Sequence, residues 1–356
     1  MTRIEKVQKM LQEHNITALI VDNPVDLYYL TGQELSLGRL VIEESGATLF
    51  VDGRYFEGCC QTTSLQVLLT AGYKKESAFG KWWKFEGKKA GFDADFTTYA
   101  DFESLLAYDS EFIPLKSPIK LIREIKEPRE IDALRQAASL GSKGFDYVCT
   151  LLKAGVTERD IAVALELFWL REGGEGLAFN PHIAFGEGTS HPHYQVTQRP
   201  LKKGEAVLID IGVTLDHYHS DMTRVIFLDE PSAKMREIYQ IVFEAYSKAL
   251  ALCKPGVKIG EVDRAARGWI EEKGFKEYFS HGLGHGVGLE IHEAPRVHSL
   301  GLDANRPLIE GMVLTIEPGI YLPKIGGVRL EDTIVITETG YENLTKRPLS
   351  SEPPLL

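Results

Sequence analysis

Apolar and polar positions alternate in two rhythms along this chain, and the change from one to the other marks where chemistry begins. Residues 2–14 place Ile4, Val7 and Leu11 at helical spacing with charges between them, which predicts an amphipathic opening helix. A buried strand fits 16–21. Segments 40–43 and 48–52 flank a Ser45-Gly46 turn and predict a hairpin, a helix surrounds Cys59, and another strand fits 65–69. After Lys88-Lys89 come a short strand at 90–93 and a helix over 99–108, so this part reads as a mixed α/β domain without a catalytic motif. The Trp82-Trp83 pair fits partly buried packing, a surface contact, or a substrate lid contributed by a partner subunit.

Residues 117–128 are basic and punctuated by Pro118 and Pro128, and Pro128 suits the first turn of a long helix running to about Lys153. The predicted division is therefore 1–124 and 125–356. Past it the chain nearly repeats itself. Lys153-Ala154-Gly155-Val156 recurs as Lys254-Pro255-Gly256-Val257, Ile161 matches Val262 and Gly173 matches Gly274, all at an offset of 101. Self-similarity at one offset implies a duplicated supersecondary unit, and two such units pack about a pseudo-twofold axis.

Within the second half, strand rhythm carries charge. Val207, Ile209 and Ile211 alternate as a half-buried strand does, and Val225 and Phe227 open a second strand. A hairpin turning near Leu215 and Asp216 sets Asp210 opposite Asp221. Cβ atoms of opposed residues lie about 4.5–5.5 Å apart, and two carboxylates that close repel unless a cation lies between them. Glu317 ends the apolar run 312–316. Glu331 interrupts 328–336, where alternation puts Val328, Leu330, Ile334 and Ile336 on one face and Arg329, Glu331 and Thr333 on the other. His285 lies among Gly282, Gly284, Gly286 and Gly288, which permit close backbone approach to whatever the histidines touch. Burying ionised carboxylates unpaired costs many kcal/mol. Two divalent cations would cancel the −4 of four carboxylates and a neutral imidazole, and oxygen-rich ligation with one nitrogen suits manganese, cobalt or zinc.

Composition narrows the setting. The 356 residues are 44% hydrophobic and 26% charged, ordinary for a globular protein, and the net charge of −11 argues against a nucleic-acid surface built on phosphate contacts. No run approaches the ~18 apolar residues of a membrane span. Cys59, Cys60, Cys149 and Cys253 show no C-x-x-C spacing and the chain begins without an apolar signal region, so a reducing cytoplasm is expected. Of ten histidines only His14 precedes residue 180. The chemistry is expected in the C-terminal half.

Five segments carry a resemblance: Asp-Ile-Gly at 210–212, Ser-Asp-Met-Thr-Arg at 220–224, Gly-His-Gly-Val-Gly at 284–288, Ile-Glu-Pro-Gly at 316–319 and Arg-Leu-Glu-Asp at 329–332. Occurring in that order, they resemble the signature segments of the pita-bread metallopeptidases, which include Xaa-Pro aminopeptidase, Xaa-Pro dipeptidase and methionine aminopeptidase. Asn23-Pro24, Tyr29-Leu30-Thr31-Gly32 and the linker 125–131 are similar to the creatinase-like N-terminal domain of the proline-specific members. The resemblance implies an α+β fold, a creatinase-like domain followed by a pita-bread catalytic domain with a pseudo-twofold repeat. It also implies that Asp210, Asp221, His285, Glu317 and Glu331 hold two divalent ions, Mn2+ first and Co2+ or Zn2+ otherwise, with Asp221 and Glu331 contacting both. A metal-activated water would attack the Xaa-Pro bond, and Glu317 would relay its proton to the departing prolyl nitrogen. His193, His281 and His292 correspond to positions that line the substrate pocket, His193 and His292 being expected to act in catalysis, and Arg329 would orient Glu331 or the substrate. The reading is a dimeric Xaa-Pro aminopeptidase acting on proline-containing peptides. The alternative is an Xaa-Pro dipeptidase, and a non-catalytic pita-bread binding module is more remote because all five ligand positions are intact.

Overall fold

The structure is a computed structural model that describes residues 1–70 and 88–356. Trp82-Trp83 lie outside the described residues. Two compact units emerge, Met1–Arg123 and Glu124–Leu356.

In the first unit, helix α1 (Arg3–Glu13) begins at a capping box: Glu5 N donates to Thr2 Oγ1 at 3.2 Å, and Thr2 N donates to Glu5 Oε2 at 2.7 Å. Its buried Val7 and Leu11 are the predicted apolar stripe. Among the described residues its strands are β1 (Ala18–Val21), β2 (Arg39–Glu43), β3 (Gly46–Val51), β4 (Gln66–Leu69), β5 (Lys89–Asp93) and β6 (Glu111–Leu115), ordered β4-β3-β2-β1-β5-β6 in one mixed sheet. The expected hairpin is β2–β3. The other helices among the described residues of this unit are α2 (Pro24–Thr31), α3 (Phe56–Thr62), α4 (Tyr99–Leu105) and α5 (Pro118–Arg123), α4 ending at Leu105 rather than 108. Neither α2, β6 nor α5 belongs to the elements predicted from patterning. Asn23 Oδ1 caps α2 by accepting from Val25 N at 3.0 Å, Pro24 fills its first turn, and Gly32 ends it at φ 71°. Arg123 on α5 is buried against Asp26 of α2, Nη1 to Oδ1 2.7 Å, so the basic segment before Pro128 is in part a packed helix.

The second unit contains four long helices, α6 (Pro128–Leu151), α7 (Glu158–Arg171), α8 (Ala233–Leu250) and α9 (Ile259–Glu272). The repeat is visible in their ends: α7 and α9 start and stop at positions related by the offset of 101. Gly155 and Gly256 before them have φ of 93° and 86°, and Gly173 and Gly274 after them 92° and 87°. Only glycine adopts that region without strain, which is why these glycines recur.

Strands β7 (Gly176–Leu177), β8 (His182–Phe185), β9 (Ala206–Ile211), β10 (Val213–Leu215), β11 (Tyr218–His219) and β12 (Met222–Phe227) form two three-stranded sheets, β12-β9-β8 and β11-β10-β7. Strands β13 (Gly284–Gly286), β14 (Glu293–Val297), β15 (Val313–Ile316), β16 (Gly319–Leu322), β17 (Gly326–Arg329), β18 (Asp332–Ile336) and β19 (Tyr341–Asn343) form a five-stranded sheet, β14-β13-β15-β18-β19, and the pair β16-β17.

Three expectations change here. Strand β9 is buried at every position, because it is central: Ala206 and Leu208 join the core around α8, while Val207, Ile209 and Ile211 join the core around α7. The hairpin turns at Asp216-His217, whose φ of 49° and 65° suit the primed turn that matches strand twist, and this register sets Thr223, not Asp221, opposite Asp210. The run around Glu331 is two strands, β17 and β18, in different sheets, and the break falls at Leu330-Glu331. Alternation persists through the break, with Val328, Leu330, Ile334 and Ile336 all in the apolar core.

Candidate metal centre

The register lays a polar row across one sheet face. His182 opposes Asp210, Asp210 opposes Thr223, and Thr223 bridges to Glu331. Residues opposed on antiparallel strands share a face, and Asp221, two residues before Thr223, lies on that face too. Thr223 Oγ1 donates to Glu331 Oε2 at 2.6 Å, and Thr333 Oγ1 donates to the Asp221 carbonyl at 2.9 Å.

The other wall comes from the five-stranded sheet. His285 sits in β13 between β14 and β15, where a Cβ on Gly284 would lie 2.0 Å from the Thr315 carbonyl oxygen and one on Gly286 2.1 Å from that of Ala294. What these glycines admit is the neighbouring backbone. His285 Nδ1 donates to the Gly286 carbonyl at 3.0 Å, which leaves Nε2 as a lone pair, 3.5 Å from Asp221 Oδ2 and 3.4 Å from Glu317 Oε1. One ligand atom each from Asp221, His285 and Glu331 fall within 4.8 Å of one another. Glu317, just past β15, accepts from Thr315 Oγ1 at 3.2 Å. Asp210 is held by Arg329 Nη2, while Arg329 Nε reaches Thr223 Oγ1 at 3.1 Å and Nη1 reaches Tyr321 Oη at 2.8 Å. Arg329 thus contacts Asp210 and the hydroxyl beneath Glu331, rather than the Glu331 carboxylate.

As bare carboxylates the cluster is electrostatically frustrated. Burial, then the charges of Glu331, Asp210 and Glu317, raises Asp221 well above the usual carboxylate range, and burial followed by Glu331 does the same to Glu317. Burial and then Asp210 lift Glu331 to about 8. Burial lowers His285 to about 4, so its imidazole is neutral, as a ligand must be. Buried carboxylates that repel one another beside an imidazole lone pair fit a hard or borderline divalent cation, which would remove the repulsion.

The three remaining histidines gather around the cluster. His292 meets the His285 ring edge-on at 4.4 Å between centroids, and burial lowers its pKa. His281 donates through Nδ1 to the Gly282 carbonyl at 2.7 Å, and its Nε2 lies 2.8 Å from Tyr321 Oη. Burial lowers it to about 3, so Nε2 accepts from the phenol, which itself accepts from Arg329. His193, exposed, lies edge-on to His182 at 5.6 Å. Thr223, Tyr321 and His182 were not among the residues predicted for the site. Thr223 was findable two residues from Asp221 on one strand face. Nothing in the sequence ties Tyr321 to His281.

Residues 132–338 match Metallopeptidase family M24, and residues 3–125 match the Creatinase/Prolidase N-terminal domain. The chain is 37% identical to the Xaa-Pro dipeptidase of Pyrococcus furiosus over 347 residues, covering 97% of each. It resembles the Xaa-Pro dipeptidase structure from Bacillus anthracis with a TM-score of 0.93 and 34% identity, covering 99% of both chains. Against the X-Pro aminopeptidase structure from Thermotoga maritima the TM-score is 0.87 and the identity 32%, covering 99% of this chain and 100% of that one. With a creatinase-type N-terminal domain ahead of a pita-bread domain whose carboxylates and imidazole converge, the chain belongs to the M24 metallopeptidases.

Proposed function

We propose that this chain is an Xaa-Pro dipeptidase whose residues 125–356 form the catalytic domain and residues 1–124 its N-terminal companion. The observation that carries the metal-dependent reading is the convergence of Asp221, His285 and Glu331 within 4.8 Å. The choice of dipeptidase over the aminopeptidase that the sequence first suggested is supported by the 37% identity to a dipeptidase over nearly the whole chain.

In this reading Asp210, Asp221, His285, Glu317 and Glu331 hold two divalent ions, with manganese the first expectation. Such ions supply Lewis acidity, polarising the scissile carbonyl and making water acidic enough to attack near neutral pH. Glu317 takes up the proton that the attacking water gives up and passes it to the prolyl nitrogen, which leaves poorly unless protonated. His292 and His193 donate toward the oxygen that gains charge. His281 keeps its Nε2 on Tyr321 and orders that side of the pocket, and Arg329 orients Asp210. A homodimer in the cytoplasm completes the proposal. Among the described residues no helix is long and apolar enough to cross a membrane.

Protein stripped with chelator and resupplied with manganese is assayed on an Xaa-Pro dipeptide and the matching Xaa-Pro-Yaa tripeptide. The dipeptide should be the better substrate. Preferential cleavage of the tripeptide would return the assignment to the aminopeptidase, and cleavage of neither would remove the enzymatic reading.

A further inference from the structure

Glu158 opens α7, and its side chain is fully buried. Four donors converge on it. Phe185 N reaches Oε1 at 3.0 Å, while Tyr194 Oη, Thr197 N and Thr197 Oγ1 reach Oε2 at 2.9, 3.0 and 2.6 Å. Three of the four belong to the segment just after His193, outside any strand or helix and largely exposed. The first turn of α7 adds two more ties: Arg159 N donates to the Thr197 carbonyl at 3.0 Å and Glu158 N to that of Arg199 at 3.3 Å. N–H groups of a first helical turn have no partner within their own helix, and here the loop satisfies two of them while Thr157 Oγ1 caps Asp160 N. Tyr194 in turn offers its carbonyl to His182 Nδ1 at 2.6 Å, and the His182 and His193 rings meet at 72° with centroids 5.6 Å apart.

A loop that buries little apolar surface keeps one conformation only if polar contacts hold it. An ionised carboxylate does so well, because charge-assisted hydrogen bonds are about twice as strong as neutral ones. We propose that Glu158 is a positioning residue for His193, acting through Tyr194 and Thr197. This rests on the reading of His193 as a substrate-facing donor. The second half of the unit uses the same device with different residues. Asp263, fully buried on α9, holds Arg267 at 2.8 and 3.0 Å, and Arg267 donates to the carbonyls of His281 at 2.7 Å and Phe279 at 3.1 Å. Glu293, paired with buried Lys126 at 2.9 Å, accepts from Glu290 N at 3.1 Å beneath the turn that carries His292. Each of the three pocket histidines has a buried carboxylate behind its own loop.

Glu158→Gln keeps the shape but turns an amide donor toward groups that are themselves donors. On the manganese-loaded protein it should lower kcat for an Xaa-Pro dipeptide about tenfold with metal content unchanged, and in a His193→Ala background it should lower kcat less than about twofold, since residues acting as a unit are not additive. Equal losses in both backgrounds would overturn the proposal. A readout free of activity is the His193 ring resonance, assigned with His193→Ala. It should move in Glu158→Gln while that of His281 stays, and an unmoved His193 resonance overturns the proposal even if the wild-type protein proves inactive on Xaa-Pro substrates. Should Glu158→Gln not fold, Thr197→Val removes one donor and leaves the carboxylate, and both measurements are read the same way.

Discussion

Thr223 stands directly opposite Asp210 across the β9–β12 ladder and donates its hydroxyl to Glu331 Oε2 at 2.6 Å. The same hydroxyl accepts from Arg329 Nε, so one oxygen ties the guanidinium to the carboxylate that closes the cluster. Thr223→Val keeps the shape and removes both bonds. Metal affinity should fall about tenfold, the lower end of what supporting hydrogen bonds contribute. The unpaired Arg329 donor should cost about 1–3 kcal/mol of stability. Titration calorimetry and chemical denaturation read the two effects separately, and unchanged affinity would show that Thr223 supports Arg329 alone.

The position of Thr223 shows which parts of the site sequence patterning could reach. The turn at Asp216-His217 lies one residue beyond the predicted Leu215-Asp216, and that single step moves the partner of Asp210 by two residues. Two is the period of a strand, so the shift leaves Asp210 and Asp221 on one face. Parity is encoded locally. Register depends on which residues of the turn accept positive φ, and Asp and His give a weak signal for that beside Asn-Gly. Helix α2 carried its signals openly, Asn23-Pro24 at one end and Gly32 at the other, but it is short and lacks an apolar stripe. Strand β6 contains Pro114, which reads as a break in a chain and is tolerated at the edge of a sheet, where β6 lies. Tyr321, Glu158 and Asp263 were not legible because their partners come from distant segments, and no periodicity joins Glu158 to Thr197.

Asp221 contributes a carboxylate to the one three-residue ligand cluster found among the described residues. Asp221→Asn retains the shape and removes one negative charge, so metal should be released together with activity, beyond the ~10–100-fold loss typical of supporting residues. Elemental analysis of the purified variant decides the point. Stoichiometric metal with full turnover would exclude Asp221 as a ligand.

Gly284 lets β13 approach β15 so closely that any side chain there meets the Thr315 carbonyl. That oxygen is backbone and cannot swing aside. Gly284→Ala should therefore cost about 1–3 kcal/mol or more as overpacking, and should push His285 away from Glu317. A denaturation midpoint like that of the wild type would mean that β13 shifts freely, against its place between two paired strands.

Stability of the metal-free protein should depend on pH in a direction opposite to that of an ordinary acidic surface pair. Unfolded, Glu331 ionises near 4.5, whereas in the folded site burial, and then the charge of Asp210, lifts it to about 8. Asp221 and Glu317 are displaced the same way. Between the two values the folded protein holds protons that the unfolded chain has released, so raising pH favours unfolding across about pH 4.5 to 8 and the Glu331 contribution is level above that. A divalent cation displaces those protons, so its binding tightens as pH rises. Melting temperatures of chelator-treated and manganese-loaded protein, compared at about pH 5, 6.5 and 8 at one ionic strength, should diverge as pH increases. A gap that stays constant or narrows would mean that the cluster carboxylates are already ionised in the metal-free fold, and that Arg329 alone offsets their charge.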